Sequence, residues 1–461
     1  MNKTNIEKYV SEIGAVKASE TFEQKTAQRL KEQPQGKPEP LKRHRALKFA
    51  LAPALAAVLL CALLFSNVFS PVNTVKASEN LMEGITPDQV KAAAAPDEKF
   101  IGAAADFSVS LFRKTIKKDA NTLVSPFSVS LALGMTANGA ANNTLRQFQN
   151  VLGGGMELNE LNWNYHSMAS RLASGSGAKL QVGNSIWYAN QGLEVKKDFL
   201  QRNADYYGAG AYQMDFSKQE TATRVNGWVK EHTGGKIDRI IDSIDPDTVM
   251  YLINALYFED EWQHPYGKSS SAVFHAADDT VPALFMKSTE QYIHDENSEG
   301  MIKPFKDSRY AFAAILPKEG VGLETYVNQM TGTAFLSLIR SADGTAECSL
   351  PKFKYEYKAD LNEPLKAMGL TDGFDSGRAD FSSMATAPLG KLIIGDVLHK
   401  TFIEVDEIGA KAGAVTEVQM ELTAMPLEVK TIDFNRPFVY AIIDTQTNLP
   451  IFLGTVSNPA K

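Results

Sequence analysis

The residue pattern with the most direct chemical meaning lies in residues 407–422, written EIGAKAGAVTEVQMEL. From Ala410 onward the side chains alternate with a period of two, which is the spacing of a β-strand. One face of that strand begins with small side chains and becomes bulky only near its end. It carries, in order, Ala410, Ala412, Ala414, Thr416, Val418, Met420 and Leu422. Such a strand could enter a packed sheet without steric clash. Taken alone, these residues also fit an ordinary Ala-rich strand or helix.

The rest of the sequence lacks the short motifs of common enzyme sites. We find no Gly-x-Ser-x-Gly nucleophile elbow, no His-Glu-x-x-His pair and no phosphate-cradling Gly-Lys-Ser loop of the P-loop type. The glycine run at residues 153–155 is isolated and is typical of a helix terminus. No catalytic residues, metal ligands or cofactor are therefore predicted, and an enzyme is not expected.

The segments on either side of the alternating stretch carry a resemblance to a known family. Asp396–Gly409 reads DVLHKTFIEVDEIG, and Phe434–Pro459 contains FNRPFVYAIIDTQTNLPIFLGTVSNP. Together they resemble the serpins, whose inhibitory members have a Glu-x-Gly hinge, a run of small residues, an exposed reactive loop and a Phe-Asn-x-Pro-Phe strand. Further blocks follow in the family's order, and the resemblance covers most of the chain from about Lys99 to Pro459.

The resemblance implies an α+β serpin fold, with a large mixed β-sheet, surrounding helices, smaller sheets and an exposed reactive-centre loop. The residue patterns agree with several of its parts. Ser125 and Pro126 predict the start of a buried helix that contains Val129, Leu131, Leu133 and Met135. The patterns also predict strands at VGNSIWYAN and at Val249–Trp262, and a helix over Val225–Ile237 that ends at a glycine pair.

The function implied by the resemblance is suicide-substrate inhibition of serine proteases. A protease attacks the loop, and the cut loop then inserts into the main sheet while the protease is still attached as an acyl-enzyme. The implied hinge is Glu407, Gly409, Ala410, Ala412 and Ala414, and the implied reactive bond follows Thr423, Ala424 or Met425. The residues near that bond predict an elastase-like or subtilisin-like target. The alternative is a non-inhibitory serpin that acts as a binding module at the cell surface.

The resemblance also implies a cluster of polar residues beneath the main sheet. Ser125, Ser128, Asn254 and His399 match the positions of the serpin shutter, a hydrogen-bond network at the place where the sheet opens. Trp262 matches a bulky residue near the point where insertion starts, although an ordinary core tryptophan explains it almost as well. The family usually has a threonine in place of Ala410 and an acidic residue in place of Lys411, which are modest departures.

The composition and charge limit the kinds of molecule that this protein is expected to bind. The chain of 461 residues contains 44% hydrophobic and 22% charged residues, which is typical of a globular protein, and its formal net charge is −7. Residues 1–48 carry +5, so the remainder carries −12, and a protein that acidic is a poor nucleic-acid binder. We expect a monomer that forms a covalent complex with its target protease. Cys61 and Cys348 lie in different environments, so no disulfide framework is predicted.

The first hundred residues predict a membrane attachment. Residues 1–48 form a polar, basic leader, and residues 49–69 contain no charge and would span about 31 Å as a helix. The basic residues before this helix place the leader in the cytoplasm, and residues 70–98 are interpreted as a stalk that joins it to the serpin domain at residues 99–461. A signal peptide cleaved after Ala77, which would release a secreted protein, is the alternative.

Overall fold

The computed structural model describes residues 79–88, 90, 96–173, 178–190, 192–245, 248–386, 392–410 and 430–461. The chain divides into two units, residues 1–75 and residues 76–461, and the described residues lie in the second. The predicted leader at residues 1–48 and the predicted transmembrane helix at residues 49–69 lie outside the described residues. Within the described ranges, no helix has both the length and the apolar character that a membrane crossing requires.

The described residues form nine α-helices and eighteen β-strands. The helices are α1 (Glu98–Thr115), α2 (Pro126–Ala137), α3 (Asn142–Gly153), α4 (Leu158–Ala173), α5 (Lys197–Tyr207), α6 (Gln219–His232), α7 (Leu323–Gln329), α8 (Gly332–Arg340) and α9 (Asn362–Ala367), with a 3₁₀ turn at Asp372–Phe374. The first nine strands are β1 (Glu79–Asn80), β2 (Thr122–Val124), β3 (Lys179–Ala189), β4 (Glu194–Val195), β5 (Gly210–Met214), β6 (Met250–Glu261), β7 (Ser270–His275), β8 (Thr280–His294) and β9 (Ser298–Pro304). The others are β10 (Tyr310–Pro317), β11 (Thr345–Pro351), β12 (Phe353–Asp360), β13 (Ala385–Thr386), β14 (Asp396–Val405), β15 (Gly409–Ala410), β16 (Lys430–Asp433), β17 (Phe438–Asp444) and β18 (Pro450–Val456).

The main sheet has seven strands in the order β1-β5-β3-β6-β15-β14-β12 and is mixed, as predicted. Its central strands β6 and β14 run parallel and pair directly from Tyr251 with Asp396 to Leu256 with Thr401. Above that point they diverge, and the two residues of β15 lie between them. A second sheet follows the order β16-β11-β8-β9-β10-β17-β18-β2, with β7 paired to β8, and β4 pairs with β13.

Helix α2 lies beneath the main sheet because its sequence has no polar face. Ser125 caps it by accepting the N–H of Ser128 at 3.2 Å, and Pro126 occupies the first turn, where a missing N–H is tolerated. All twelve residues of α2 are buried. The predicted start and burial of this helix are both confirmed. Its polar N-terminus lies beneath β6 and β14.

Helix α6 covers the opposite face of the main sheet. Val225, Trp228 and Val229 pack in a separate core cluster with strand residues such as Tyr251 and Ile253. The helix runs over Gln219–His232, so it begins and ends about five residues earlier than the predicted range. It ends because Gly234 and Gly235 adopt φ angles of +57° and +77°, as the glycine pair suggested.

The segment from Glu79 to Asp88, assigned to the stalk in the sequence interpretation, lies along the domain. Glu79 and Asn80 pair with Gln213 and Tyr212 of β5, so they add a short strand to the edge of the main sheet. Leu81, Met82 and Ile85 are apolar and pack against the main core, which explains why this stretch does not project into solvent.

Candidate functional site

The predicted hinge forms a tight turn between β14 and β15. The Asp406 carboxylate accepts the N–H groups of Ile408 (2.8 Å) and Gly409 (3.1 Å), and the N–H of Asp406 donates to the carbonyl of Gly409 (3.1 Å). These three bonds reverse the chain direction. The turn therefore directs Gly409 and Ala410 into the gap between β6 and β14.

Gly409 and Ala410 fit this gap because they are small. A Cβ atom on Gly409 would lie 2.1 Å from the carbonyl oxygen of Asp260, so another residue would force the strands apart. Ala410 is 3% exposed and lies between Asp260 of β6 and Val405 of β14. The inward position predicted for Ala410 is thus the one observed.

A narrow cavity continues the gap below Ala410. Its lining includes Phe258 of β6 and Ile403 of β14, and its free volume of about 10 Å³ admits at most one water molecule. The space is too small for a branched or aromatic side chain unless the strands move. The upper part of the main sheet therefore holds the two-residue strand β15 between β6 and β14, with a small cavity directly below it.

Two aromatic residues hold the backbone of the hinge turn. The Trp262 backbone N–H donates to the carbonyl of Ile408 (2.7 Å), and its indole N–H donates to the carbonyl of Asp406 (2.8 Å). The N–H of Tyr266 donates to the carbonyl of Glu407 (2.8 Å). Trp262 is buried and stacks on Phe305 with ring centroids 4.6 Å apart. It is therefore a core residue that also binds the backbone of the predicted hinge, and its part in insertion stays a prediction.

An ion pair ties the hinge to the neighbouring strand. Lys352 Nζ lies 2.7 Å from Glu407 Oε2, and both side chains are about one-third exposed. Desolvation acts to raise the pKa of Glu407, but hydrogen bonding and the charge of Lys352 outweigh it, and the pKa lies below its usual value. The carboxylate stays charged at neutral pH.

A second ion pair lies under the hinge aromatics. Lys303 Nζ of β9 and Glu290 Oε1 of β8 are 2.5 Å apart, and the side chains are only 2% and 8% exposed. The ammonium group also lies over the ring of Tyr266, 4.2 Å from its centroid. Burial lowers the pKa of Lys303, and Glu290 opposes that shift.

The four polar residues predicted to form a shutter meet beneath the sheet. Asn254 Oδ1 accepts a hydrogen bond from the Ser128 hydroxyl (2.8 Å) and lies 2.6 Å from His399 Nδ1. The backbone N–H of Ser125 donates to His399 Nε2 (3.0 Å). All four are 0% exposed. Because Nε2 accepts a hydrogen bond, Nδ1 carries the proton and donates it to Asn254. Burial lowers the pKa of His399 to about 3, so the imidazole is neutral.

Sequence reasoning missed other members of these groups. Asn184 of β3 accepts the amide N–H of Asn254 at 2.6 Å and extends the network to a third strand. Lys352 and Tyr266 were not singled out, nor was Asp260, although each touches the hinge. Asn184 lies in the predicted strand VGNSIWYAN between Gly183 and Ser185, and this local sequence does not distinguish it from other polar strand residues.

The remaining predicted residues lie outside the described residues. These are the hinge alanines Ala412 and Ala414 and the reactive-bond candidates Thr423, Ala424 and Met425. In the described part of the chain, no group of three or more His, Cys, Asp or Glu side chains is arranged to hold a metal ion. Cys348 is buried, and burial raises the pKa of its thiol to about 12, so it is unreactive.

Comparison with known proteins identifies the family. The profile of the family described as Serpin (serine protease inhibitor) matches residues 102–459, which is most of the chain. The chain belongs to the serpin family. Serpins are generally inhibitors of proteases rather than catalysts.

Individual serpins match over nearly their full length. The crystal structure of the thermophilic serpin tengpin in its native state matches with 44% sequence identity and a TM-score of 0.80. The match covers 83% of this chain and 99% of the tengpin chain. Serpin B6 of Macaca fascicularis is 30% identical over 77% of this chain and 97% of its own length. The structure of thyroxine-binding globulin in complex with thyroxine is 27% identical, with a TM-score of 0.70, and covers 78% of this chain.

Proposed function

We propose that this serpin is a suicide-substrate inhibitor of serine proteases, which traps its target as an acyl-enzyme by inserting its cut loop into the main sheet. The observation that carries the proposal is β15. Gly409 and Ala410 already pair with β6 and β14, so the strand that insertion would complete has been started. Strand addition of this kind gains ladder hydrogen bonds and buried apolar surface.

The register of β15 specifies where the following residues would go. Continuing it would place residue 412 between Phe258 and Ile403, and residue 414 between Leu256 and Thr401. Both positions are alanine in this sequence, and the cavity between Phe258 and Ile403 has room for little more. The predicted small face of the loop therefore matches the gap that it would enter.

The same register brings Thr416 between Asn254 and His399. Before that, β6 and β14 would have to separate over the stretch where they now pair directly. The Asn254–His399 hydrogen bond would break as they part, and the Thr416 hydroxyl could satisfy the polar groups left behind. The shutter network would thus oppose insertion before the loop is cut and accommodate it afterwards.

The target is proposed from the loop residues. The reactive bond follows Thr423, Ala424 or Met425, and no Arg or Lys lies between Glu417 and Glu428, so a trypsin-like enzyme is a poor match. A protease of the elastase or subtilisin type accepts small or medium apolar side chains. About sixteen residues of inserted strand would reach roughly 50 Å, enough to carry a tethered protease across the domain.

The test is to incubate the full-length chain, kept in detergent, with subtilisin and with pancreatic elastase. A complex that survives a denaturing gel supports suicide inhibition, and mass spectrometry of the released C-terminal peptide identifies the cut bond. Clean cleavage that leaves the protease active, with no complex, would instead favour a non-inhibitory serpin that acts as a cell-surface binding module.

For location, we propose a single-pass membrane protein with residues 1–48 in the cytoplasm and the serpin domain outside. The support is the uncharged stretch at residues 49–69 and the basic residues that precede it. Mass spectrometry of the mature N-terminus tests this: an intact leader supports the anchor, whereas a start just after Ala77 supports secretion. Protease treatment of intact cells would show on which side the domain lies.

A further inference from the structure

A cleft of about 170 Å³ lies near the edge of the main sheet and shares no residue with the hinge. Val182–Asn184 of β3 and Gly210 of β5 line it from the sheet, and Trp228 and His232 line it from the last turns of α6. Cavities of roughly 150 Å³ hold a benzene molecule, so this cleft has room for a molecule with one six-membered ring.

The cleft exists because two neighbouring strands do not pair along their full length. β3 begins at Lys179, but its pairing with β5 begins only where Ser185 lies opposite Gly210. Val182–Asn184 therefore have β6 as their strand partner on one side and the cleft on the other. The turn before β5 does not fill the gap, because a Cβ atom on Gly208 would have no neighbour within 4 Å.

One wall of the cleft carries a buried amide with an unused donor. Asn184 is 7% exposed, and its Oδ1 accepts the side-chain N–H of Asn254 at 2.6 Å. Its Nδ2 donates to no atom of the described residues, and it is not among their sealed polar atoms that lack a partner, so it opens to the cleft. An amide that is more than nine-tenths buried is thus ready to donate a hydrogen bond.

Two aromatic residues add a second donor and an acceptor. The Tyr212 hydroxyl oxygen accepts the indole N–H of Trp228 at 3.0 Å, which leaves the hydroxyl hydrogen free to donate. His232 Nδ1 lies 2.8 Å from the carbonyl oxygen of Trp228, so Nδ1 carries the proton and Nε2 is left as an acceptor. The ring of His232 stacks on Trp228 with centroids 4.0 Å apart, and Tyr212 stacks on Trp187 at 4.4 Å. These contacts hold the aromatic wall in place.

The lining determines the charge and the polar groups of a suitable ligand. No Asp, Glu, Lys or Arg is among the described residues that line the cleft, and an ionised ligand would lose solvation there without gaining an ion pair. Asn184 Nδ2 and the Tyr212 hydroxyl need an acceptor, and His232 Nε2 needs a donor. An amide group supplies both, because its carbonyl oxygen accepts two hydrogen bonds and its N–H donates one.

We propose that this cleft binds an uncharged, single-ring molecule that carries an amide group. Aromatic carboxamides and acetamido sugars share this chemistry. Asn184 is the contact that connects the cleft to the rest of the sheet, since its Oδ1 already bonds to Asn254 of the shutter. The proposal makes no use of the inhibitory mechanism.

Four probes test the class of ligand on the full-length chain in detergent, by saturation-transfer NMR and titration. Nicotinamide and N-acetylglucosamine carry the amide, whereas nicotinate and glucose are their counterparts without it. At least one amide should bind saturably, and its counterpart should bind at least about tenfold more weakly, because it lacks the amide hydrogen bonds or brings an unpaired charge. Binding of nicotinamide alone indicates an aromatic ligand, and binding of N-acetylglucosamine alone indicates a sugar.

Three variants test the residues. Tyr212→Phe removes one hydroxyl and should weaken binding of the amide about fivefold. Asn184→Asp replaces the Nδ2 donor with an oxygen of similar position and should weaken binding at least about tenfold. Tyr206→Phe makes the same chemical change as Tyr212→Phe at a residue that does not line the cleft, and it should bind as the wild type does.

The proposal is overturned if neither amide binds saturably, or if each amide binds no more tightly than its counterpart. Unchanged affinity in both Tyr212→Phe and Asn184→Asp would also overturn it. Asn184→Asp alters a residue bonded to the shutter, so if that variant does not fold, Tyr212→Phe decides alone, with its thermal midpoint as the check on folding. The inhibitory function is judged separately by the covalent complex with subtilisin or elastase.

Discussion

The Nδ1 atom of His399 lies 2.6 Å from the Oδ1 atom of Asn254, and the two residues belong to β14 and β6, the neighbouring strands at the centre of the main sheet. Their direct contact means that the sheet is closed at this level. Because both ring nitrogens of His399 are used and the ring is fully buried, a second proton on the imidazole would leave a donor without an acceptor. The closed sheet therefore requires a neutral histidine.

This requirement predicts a loss of stability in acid. The pKa of His399 is about 3 in the folded protein and about 6.5 when the residue is exposed, so the unfolded chain binds a proton that the folded chain does not. The stability should be complete above about pH 6.5 and should fall progressively as the pH drops toward 3. His399→Gln should remove this part of the pH dependence of the thermal midpoint. His275→Gln, at an exposed position on β7, is the control and should leave the profile unchanged.

Ala410→Arg should convert the protein from an inhibitor into a substrate. Ala410 is 3% exposed in its two-residue strand, and a guanidinium group there could not be solvated or paired. We expect complex formation with subtilisin to fall at least about tenfold while loop cleavage continues, which needs only about 1.4 kcal/mol of added cost. Ala410→Ser, which stays small, is the matched control and should still inhibit. Full inhibition by Ala410→Arg would refute insertion.

Reversing the charge of Glu407 in the hinge ion pair should destabilise the native form. Glu407→Lys brings a second ammonium group to Lys352 and removes the 2.7 Å contact between them. The pair is partly exposed, so the expected loss is about 1 kcal/mol, visible as a lower thermal midpoint. The double variant Glu407→Lys with Lys352→Glu restores opposite charges and should recover most of the loss. Failure to recover would show that the pair itself does not hold the hinge.

Breaking the buried ion pair of Glu290 and Lys303 should cost more stability than breaking the partly exposed pair at the hinge. Lys303→Met leaves the Glu290 carboxylate buried and unpaired beneath Tyr266 and should lower the free energy of unfolding by about 3–5 kcal/mol. Combining it with Glu290→Leu removes the unpaired charge, and the double variant should return close to the wild-type value. Denaturant unfolding of the four proteins completes the cycle, and additive losses would argue against a coupled pair.

Local structure was predictable wherever one short segment decides it. The cap at Ser125, the proline at the start of α2 and the apolar run that follows specify a buried helix without any tertiary information. The apolar, strand-forming residues of 249–262 predicted β6 to within one residue at each end. The limits of α6 were displaced because its first turns are polar and give little periodic signal.

The candidate site was predictable only in part. The resemblance indicated that Ser125, Ser128, Asn254 and His399 act together, and the structure brings them together. It did not indicate that Asn184 joins them from β3, or that Lys352 binds Glu407. Each of these partners is an ordinary polar residue at a strand position, and nothing in its own neighbourhood of the sequence identifies what it will touch.

The sequence by itself determined the local patterns: the capped helix α2, the apolar central strands and the small residues that begin the loop. Only the tertiary structure decided that Ala410 enters the sheet beside Asp260, and that His399 meets Asn254 from a position 145 residues away. Propensity and periodicity act over a few residues, whereas these contacts depend on which strands become neighbours when the whole core packs. A buried carboxyl group beside an alanine therefore becomes visible only when β6 and β15 are placed side by side.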